Sequence, residues 1–326
     1  MSSADELRRL INAHQVSQAI CVAAELGVAD LLAEGARTSD DLAGATRTNA
    51  DALYRLLRAL AAIGVFHEDE GRLFTLAPLG ESLRSDAPDS VAAVAVHVGR
   101  PYVHEAWSGL VDSIRTGENA FSLVHGMGIW EYRAQRPEDN AIFDRYIAAG
   151  TGRGMQALLD AYDFGRFGTI VDVGGGTGTL LSRVRVAHPT VRGILFDQPH
   201  VVAGLELGDG IEVVAGSFFE SVPEGGDAYV LKSIVHDWED EQAIAILRSV
   251  RRSGGTLLVI ERLLGPPNEG PEAKFSDLNM LVAPGGRERT LDEYGALFEA
   301  AGYRLTGATP SVVEIHVLEG EPVRPS

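Results

Sequence analysis

Ile170-Val171-Asp172-Val173-Gly174-Gly175-Gly176-Thr177-Gly178-Thr179 is the stretch that decides how this chain is read. A short apolar run ending in an acid has the pattern of a buried parallel strand. The glycines after it let the backbone turn sharply and bring its N–H groups against a ligand, at the mouth of a helix beginning near Leu180. That is a nucleotide-type loop. The dinucleotide fingerprint G-x-G-x-x-G/A fails in both frames, because Gly174 and Gly176 lead to Thr179, and Gly176 and Gly178 lead to Leu181. A nicotinamide-dependent oxidoreductase is disfavoured on that ground. An acid-x-Gly-x-Gly-x-Gly spacing fits instead, with Asp172, Gly174, Gly176 and Gly178 in place.

Working downstream, Val191 to Asp197 reads as the second parallel strand, ending in an acid about twenty residues beyond the loop, where a carboxylate accepts hydrogen bonds from ribose hydroxyls. Ile211 to Ala215 is a third strand. Its following loop would border an adenine, with Ser217 offering a hydroxyl and Phe218 a ring face. Asp227 to Ile234 makes the fourth strand and delivers Lys232, His236, Asp237 and Trp238 to its carboxyl end, where open parallel sheets bind ligands. Asp237 or Asp240 is also placed to cap a helix over Glu241 to Arg251. Thr256 to Ile260 is the fifth strand, followed by Glu261, and neighbouring strands should bring His236 and Glu261 out side by side. The loop Gly285-Gly286-Arg287-Glu288-Arg289-Thr290 precedes a helix over Leu291 to Ala301 and lets Glu288 reach the same crevice. Arg304 to Ala308 and Val312 to Leu318 close a seven-stranded, mostly parallel sheet, and residues 319–326 read as a loose tail. A metal centre on His236, Asp237, Asp240 and Glu241 competes, but Asp240 and Glu241 should point along a helix away from the strand tip; no metal is expected.

Upstream, apolar residues recur at helical spacing from Leu7 to Leu32 and cover much of the circumference, more than one wet face needs, which suggests burial against a second chain. Thr38 to Ala43 is an N-cap and short helix, and Ala50 to Ile63 a helix with Leu53, Leu56, Leu57 and Leu60 on one face, stopped by Gly64. Val65 to His67 and Arg72 to Leu76 form a hairpin. Three helices and a two-stranded wing make a winged helix. A DNA reader is disfavoured, since the recognition helix offers only Arg55 and Arg58 and the wing carries Glu68, Asp69 and Glu70 against phosphate. Residues 1–98 are therefore assigned to a winged-helix dimerisation domain, and residues 99–326 to linker helices plus a Rossmann-like catalytic domain with its core at 167–318.

Residues 101–160 are helical in pattern and concentrate aromatics, among them Trp107, Trp130, Phe143 and Tyr146, suited to the wall of a pocket for a flat ring. Asn140 and Met155 are further candidate contacts. Arg153, flanked by glycines before the nucleotide domain, is placed to fork onto a carboxylate.

The 326 residues carry a net charge of -18, which argues against nucleic acid or an anionic membrane as the main partner. Only two lysines occur, Lys232 and Lys274. The single cysteine, Cys21, excludes an internal disulfide framework and sits in an apolar run expected to be core. Charges within Met1 to Leu10 leave no room for a secretory h-region, and no apolar stretch reaches the ~20 residues needed to span a bilayer, so a soluble cytoplasmic protein is expected.

Asp-Val-Gly-Gly-Gly-Thr-Gly (172–178), Phe-Asp-Gln-Pro-His-Val (196–201), Leu-Lys-Ser-Ile-Val-His-Asp-Trp (231–238) and Gly-Gly-Arg-Glu-Arg-Thr (285–290), with the N-terminal winged helix, resemble the caffeate/hydroxyindole-type O-methyltransferases that use S-adenosylmethionine. The likeness spans about residues 13–318 and is closest to bacterial members that decorate polyketides and other natural products. It implies a homodimer through interlocked N-terminal domains, His236 as general base and Glu261 and Glu288 as its flanking acids. Gly174, Asp197, Ser217, Phe218 and Lys232 then fall on donor contacts, and Asp277 and Met280 where the family lines the acceptor pocket; the glycine loop itself adds Asp172 and Gly176 to the donor candidates, and the carboxyl end of the fourth strand adds Asp237 to the pocket. Many members have Asp where this chain has Ser217, which weakens the implied adenine contact. Some bacterial relatives bind the donor yet catalyse hydroxylation or decarboxylation; retention of His236 and both glutamates favours methyl transfer to a phenolic hydroxyl.

Overall fold

The computed structural model describes residues 2–311 and 315–323, without the side chains of residues 148 and 150–153. The chain divides into two compact units, residues 1–105 with 136–150, and residues 106–135 with 151–326.

In the first unit the expected helix over Leu7 to Leu32 is three helices: α1 (Ser3–Ile11), α2 (Ala13–Glu25) and α3 (Val28–Ala33). Apolar periodicity runs through both breaks, so it does not reveal them. The second break is made by Gly27, whose left-handed φ of 64° reverses the chain at no steric cost. Helix α1 begins in a Ser2/Asp5 capping box and leaves Leu7, Leu10 and Ile11 more than half exposed, an apolar stripe unusual for an isolated surface helix. Then follow β1 (Arg37–Thr38), α4 (Ser39–Thr46), opened by a Thr38/Asp41 capping box, and α5 (Ala50–Ala61), capped by Asn49. Leu53, Leu57 and Leu60 of α5 are buried against Leu42, Phe66 and Phe74. The hairpin β2 (Phe66–Asp69) and β3 (Leu73–Leu76) is the expected wing, with β1 added as a third antiparallel strand. Helices α6 (Pro78–Glu81), α7 (Ala92–Val98) and α8 (Pro101–Ser108) follow; α9 (Leu110–Thr116), α10 (Ala120–His125) and α11 (Ile129–Ala134) belong to the second unit, and the long α12 (Pro137–Ala161) has residues in each, all helical as the middle segment led one to expect.

The second unit is built on β4 (Thr169–Val173), β5 (Arg192–Asp197), β6 (Ile211–Ala215), β7 (Ala228–Lys232), β8 (Thr256–Arg262), β9 (Tyr303–Pro310) and β10 (Ile315–Pro322), in the order β6-β5-β4-β7-β8-β10-β9. Strands β4 to β8 are parallel and β10 is antiparallel to both its neighbours. Alternation sorts the strands into two faces. Val171, Tyr229, Leu231, Leu257 and Val259 pack on α15 (Asp240–Ser253) and α17 (Leu291–Ala300), while Ile170, Val230, Leu258 and Ile260 pack with α13 (Thr179–Ala187), the short α14 (Pro199–Val202) and the end of α12. Residues 319–322, expected to be loose, instead extend β10; the paired run of β8 and β9 gives Glu319, Gly320 and Glu321 ladder partners that local composition does not reveal. The order of strands reverses between β4 and β7, so the loops after these two strands diverge and open a crevice between them.

Candidate active site

Strand β4 ends in Asp172, which is buried and has one carboxylate oxygen, Oδ2, without a hydrogen-bond partner. Burial pushes its pKa up to about 7, against the attraction of Lys232. After it the chain turns through Gly174 and Gly176, at φ of 74° and 58°. A Cβ on Gly174 would lie 2.6 Å from Ile234 Cδ1, whereas the space beside Gly176 is open. The Gly176 N–H donates to Asp197 Oδ2 at 2.8 Å and the Gln198 N–H to Oδ1 at 2.6 Å, so the β5 acid is fixed by backbone at the tip of its strand with lone pairs to spare. Phe218 sits beside Gly174, and Trp238 meets Phe218 and Phe219 edge-on at 6.1 and 4.8 Å. Ser217 Oγ accepts the Phe219 N–H at 3.3 Å. Lys232 ends β7, half-buried, and burial lowers its pKa while Asp172 and Glu261 oppose that shift. An open glycine turn, an anchored acid and an orphaned buried carboxylate oxygen form a cradle that fits an adenosyl donor.

The second half of the crevice is made after β7. Ser233, at φ 55°, breaks the strand, and residues 235–237 form one turn of 3₁₀-helix. The backbone N–H groups of Ile234, Val235 and His236 donate to a single oxygen, Glu261 Oε1, at 3.0, 2.8 and 3.3 Å. Glu261 therefore anchors the turn that carries His236. The imidazole Nδ1 lies 3.1 Å from Glu288 Oε1 and 3.5 Å from Glu261 Oε2; Nε2 lies 3.5 Å from Asp237 Oδ1. Both glutamates are fully enclosed, but 16% of the His236 side chain stays open, enough for a small molecule to reach an edge of the ring. Burial disfavours the imidazolium, yet Glu261, Asp237 and Glu288 outweigh it and raise the His236 pKa to about 10. Burial in turn pushes Glu261 up to about 7 and Asp237 to about 6. Glu288 is held below its ordinary value, because its bonds to His236 and Ser276 and the imidazole charge overcome burial.

Two features of this site had no role in the sequence reading. Arg289, 1% exposed, donates to Asp240 Oδ1 at 2.7 and 3.0 Å and to the carbonyls of Trp238, Arg287 and Val235. It ties the loop carrying Glu288 to the turn carrying His236 and to Asp240, which is the first residue of its helix and not the cap, a position held by Glu239. Gly286 is needed where it stands, since a Cβ there would overlap the His236 carbonyl, to which the Arg287 N–H donates. The glycine pair was the available signal for that close approach. His236, Glu261 and Glu288 are also the one group among the described residues whose ligand-type atoms converge within 4.8 Å, a size that could hold a cation.

The acceptor-side candidates separate. Asp277, on α16 (Pro271–Val282), accepts the Glu288 N–H at 3.0 Å, and Met280 is buried on the same helix. Trp107 and Trp130 belong to the second unit, Trp130 with the Arg133 guanidinium 5.3 Å over its ring. Phe143 and Tyr146 belong to the first, where they pack on the buried ring of His97 at 5.6 and 4.5 Å. Asn140 bonds Asp144. Met155 is buried in the core with Leu158 and Phe164. The Arg153 side chain lies outside the described residues.

Residues 107–304 match the O-methyltransferase domain model and residues 8–86 the O-methyltransferase dimerisation domain model. A phenazine O-methyltransferase of Lysobacter antibioticus is 40% identical over 97% of this chain and 96% of its own. An 8-amino-8-demethylriboflavin N,N-dimethyltransferase of Streptomyces davaonensis is 36% identical over 91% of this chain and 89% of its own. Among solved structures, a neocarzinostatin-biosynthesis O-methyltransferase in complex with S-adenosylmethionine and 2-hydroxy-5-methyl naphthoic acid superposes with a TM-score of 0.81 at 33% identity, covering 94% of this chain and 96% of that one.

Proposed function

This chain belongs to the O-methyltransferase family, and from that premise we propose that it transfers the methyl group of S-adenosylmethionine to a phenolic hydroxyl of an aromatic natural product, with His236 as general base. The observation that carries the reading is the 3.1 Å contact of His236 Nδ1 with a buried carboxylate at the tip of the central strands. A neutral imidazole has one ring proton. Holding it on Nδ1 by Glu288 leaves the Nε2 lone pair for the acceptor. A phenol with a pKa of ~10 is a poor nucleophile at neutral pH. The carboxylates around His236 stabilise the imidazolium that forms when the ring takes the phenol's proton. Asp197 would hold the donor ribose, Phe218 and Ser217 the adenine, and the backbone of Gly174 to Gly178, with Asp172, Lys232 and Arg153, the methionine end. When bound, the donor supplies an electrophilic methyl group on its sulfonium sulfur. Enclosure of Glu261 and Glu288 keeps water from competing for the imidazole proton.

The exposed apolar stripe of α1 supports a homodimer through the N-terminal domain, and exposed Asp69 and Glu70 on the wing weigh against DNA as its partner. No described helix is long and apolar enough to cross a membrane, in keeping with a cytoplasmic tailoring enzyme of secondary metabolism. A non-methylating reaction finds no support among these relatives.

The test is incubation with methyl-labelled donor and a panel of hydroxyphenazines, hydroxynaphthoates and hydroxybenzoates, with aromatic amines alongside because one relative is named for N-methylation. A labelled methyl ether made by wild type and lost in His236→Ala is the expected result. Label found only on amines, or no label transferred to any acceptor, overturns the reading.

A further inference from the structure

We propose that Ser276 is a positioning residue for the base: its hydroxyl fixes which oxygen of Glu288 meets the imidazole and keeps that carboxylate ionised. The proposal rests on His236 acting as base. Ser276 Oγ donates to Glu288 Oε1 at 2.6 Å, the same oxygen that faces His236 Nδ1 at 3.1 Å. The other oxygen, Oε2, is buried and has no hydrogen-bond partner. Both hydrogen bonds of this carboxylate thus fall on Oε1, and Ser276 supplies one of them.

The next residue on α16 holds the other end of the same glutamate, Asp277 Oδ1 accepting the Glu288 N–H at 3.0 Å. One turn of helix thus grips Glu288 by its amide and by its carboxylate. A serine inside a helix commonly turns its hydroxyl back to a carbonyl of its own helix; Ser276 instead reaches a residue of another loop, at a length expected of a hydroxyl on an ionised oxygen. The charged and titratable groups around Glu288 are His236 and Asp237 after β7, Glu261 and Arg262 at the end of β8, Asp277 on α16 and Tyr294 on α17. Among these the Ser276 hydroxyl is the neutral donor that favours the charged carboxylate without adding a charge. Removing it makes Glu288 a stronger proton acceptor, so the coupled His236–Glu288 pair takes up its proton at higher pH.

The experiment compares Ser276→Ala, Ser276→Thr, Glu288→Gln and Ser276→Ala/Glu288→Gln in the full-length enzyme, with His236→Ala as control. Turnover is followed against pH and donor affinity by calorimetry. Ser276→Ala is expected to lower kcat about tenfold, the worth of one charge-assisted hydrogen bond. Donor Kd should be unchanged and the acid limb of the pH profile should move to higher pH. Ser276→Thr should restore most of the rate, and Ser276→Ala should cost less than about twofold in the Glu288→Gln background, because coupled residues are not additive. Wild-type kcat and pH profile in Ser276→Ala, a threonine variant as poor as alanine, or an undiminished effect beside Glu288→Gln overturns the proposal. Full turnover in His236→Ala overturns the base assignment and this proposal together, whereas an inactive His236→Ala beside an unaffected Ser276→Ala overturns this proposal alone.

Discussion

Replacing Glu261 separates its two roles. Its Oε1 accepts three N–H groups, from Ile234, Val235 and His236, at 3.0, 2.8 and 3.3 Å, on a side chain that is fully buried. Alanine strands all three donors, and at about 1–3 kcal/mol for each buried unsatisfied group, with the last bond already long, the loss should be about 3–5 kcal/mol. Glutamine keeps an oxygen in the same position and can accept all three. It also removes a carboxylate whose burial pushes its pKa up to about 7, so near neutral pH little electrostatic stabilisation is forfeited. Glu261→Gln should therefore stay within about 1.5 kcal/mol of wild type, while losing rate because His236 has one fewer carboxylate to stabilise its charge. Urea denaturation at pH 7.5 and fixed protein concentration, followed by tryptophan emission, reads the first quantity and labelled methyl transfer the second. Equal destabilisation by glutamine and alanine would show that the charge, not the three-donor anchor, holds the turn.

Arg289→Met should cost about 2–4 kcal/mol, since it strands the Val235 and Trp238 carbonyls and frees the His236 turn from the Glu288 loop; denaturation and kcat measured together check this, and a stable variant with a wild-type rate contradicts it. The His236 pKa is raised in the folded protein, so its contribution to stability is fully present below ~6.5 and is lost as pH climbs to about 10. The stability gap between wild type and His236→Asn, measured by urea titration, should accordingly shrink over that window, and a gap that widens contradicts the sign. Prolonged dialysis against EDTA should leave turnover unchanged, because one imidazole proton already accounts for the approach of Nδ1 to Glu288; loss of activity restored by a divalent cation would place a metal on the His236, Glu261 and Glu288 cluster.

The glycine loop, Asp197 and the run of parallel strands were legible because a parallel sheet leaves a strong local pattern and puts ligands at one end of it. That His236, Glu261 and Glu288 converge followed from strand adjacency, which sequence order nearly dictates. Which glutamate takes which role did not follow. The division depends on a three-donor anchor created by Ser233 leaving the strand at φ 55°, and a serine gives no sign of adopting it. Arg289 was invisible for a related reason, since a guanidinium that ends among carbonyls of another loop looks in sequence like any surface arginine. The breaks at Asn12 and Gly27 and the extension of β10 through Pro322 mark the opposite limit, where apolar periodicity or its absence says less than partners distant in the chain.

The central claim is that the imidazole of His236 takes the acceptor's proton, and acceptor acidity tests it most directly. Rates of wild type and His236→Ala are compared at pH 8 across phenolic acceptors whose hydroxyl pKa runs from ~10 down to ~7. If His236 is the base, the variant should lose about 10²–10⁴-fold on the least acidic phenol and recover most of that on the most acidic, which arrives already ionised. An equal loss across the series, or none at all, would contradict the account.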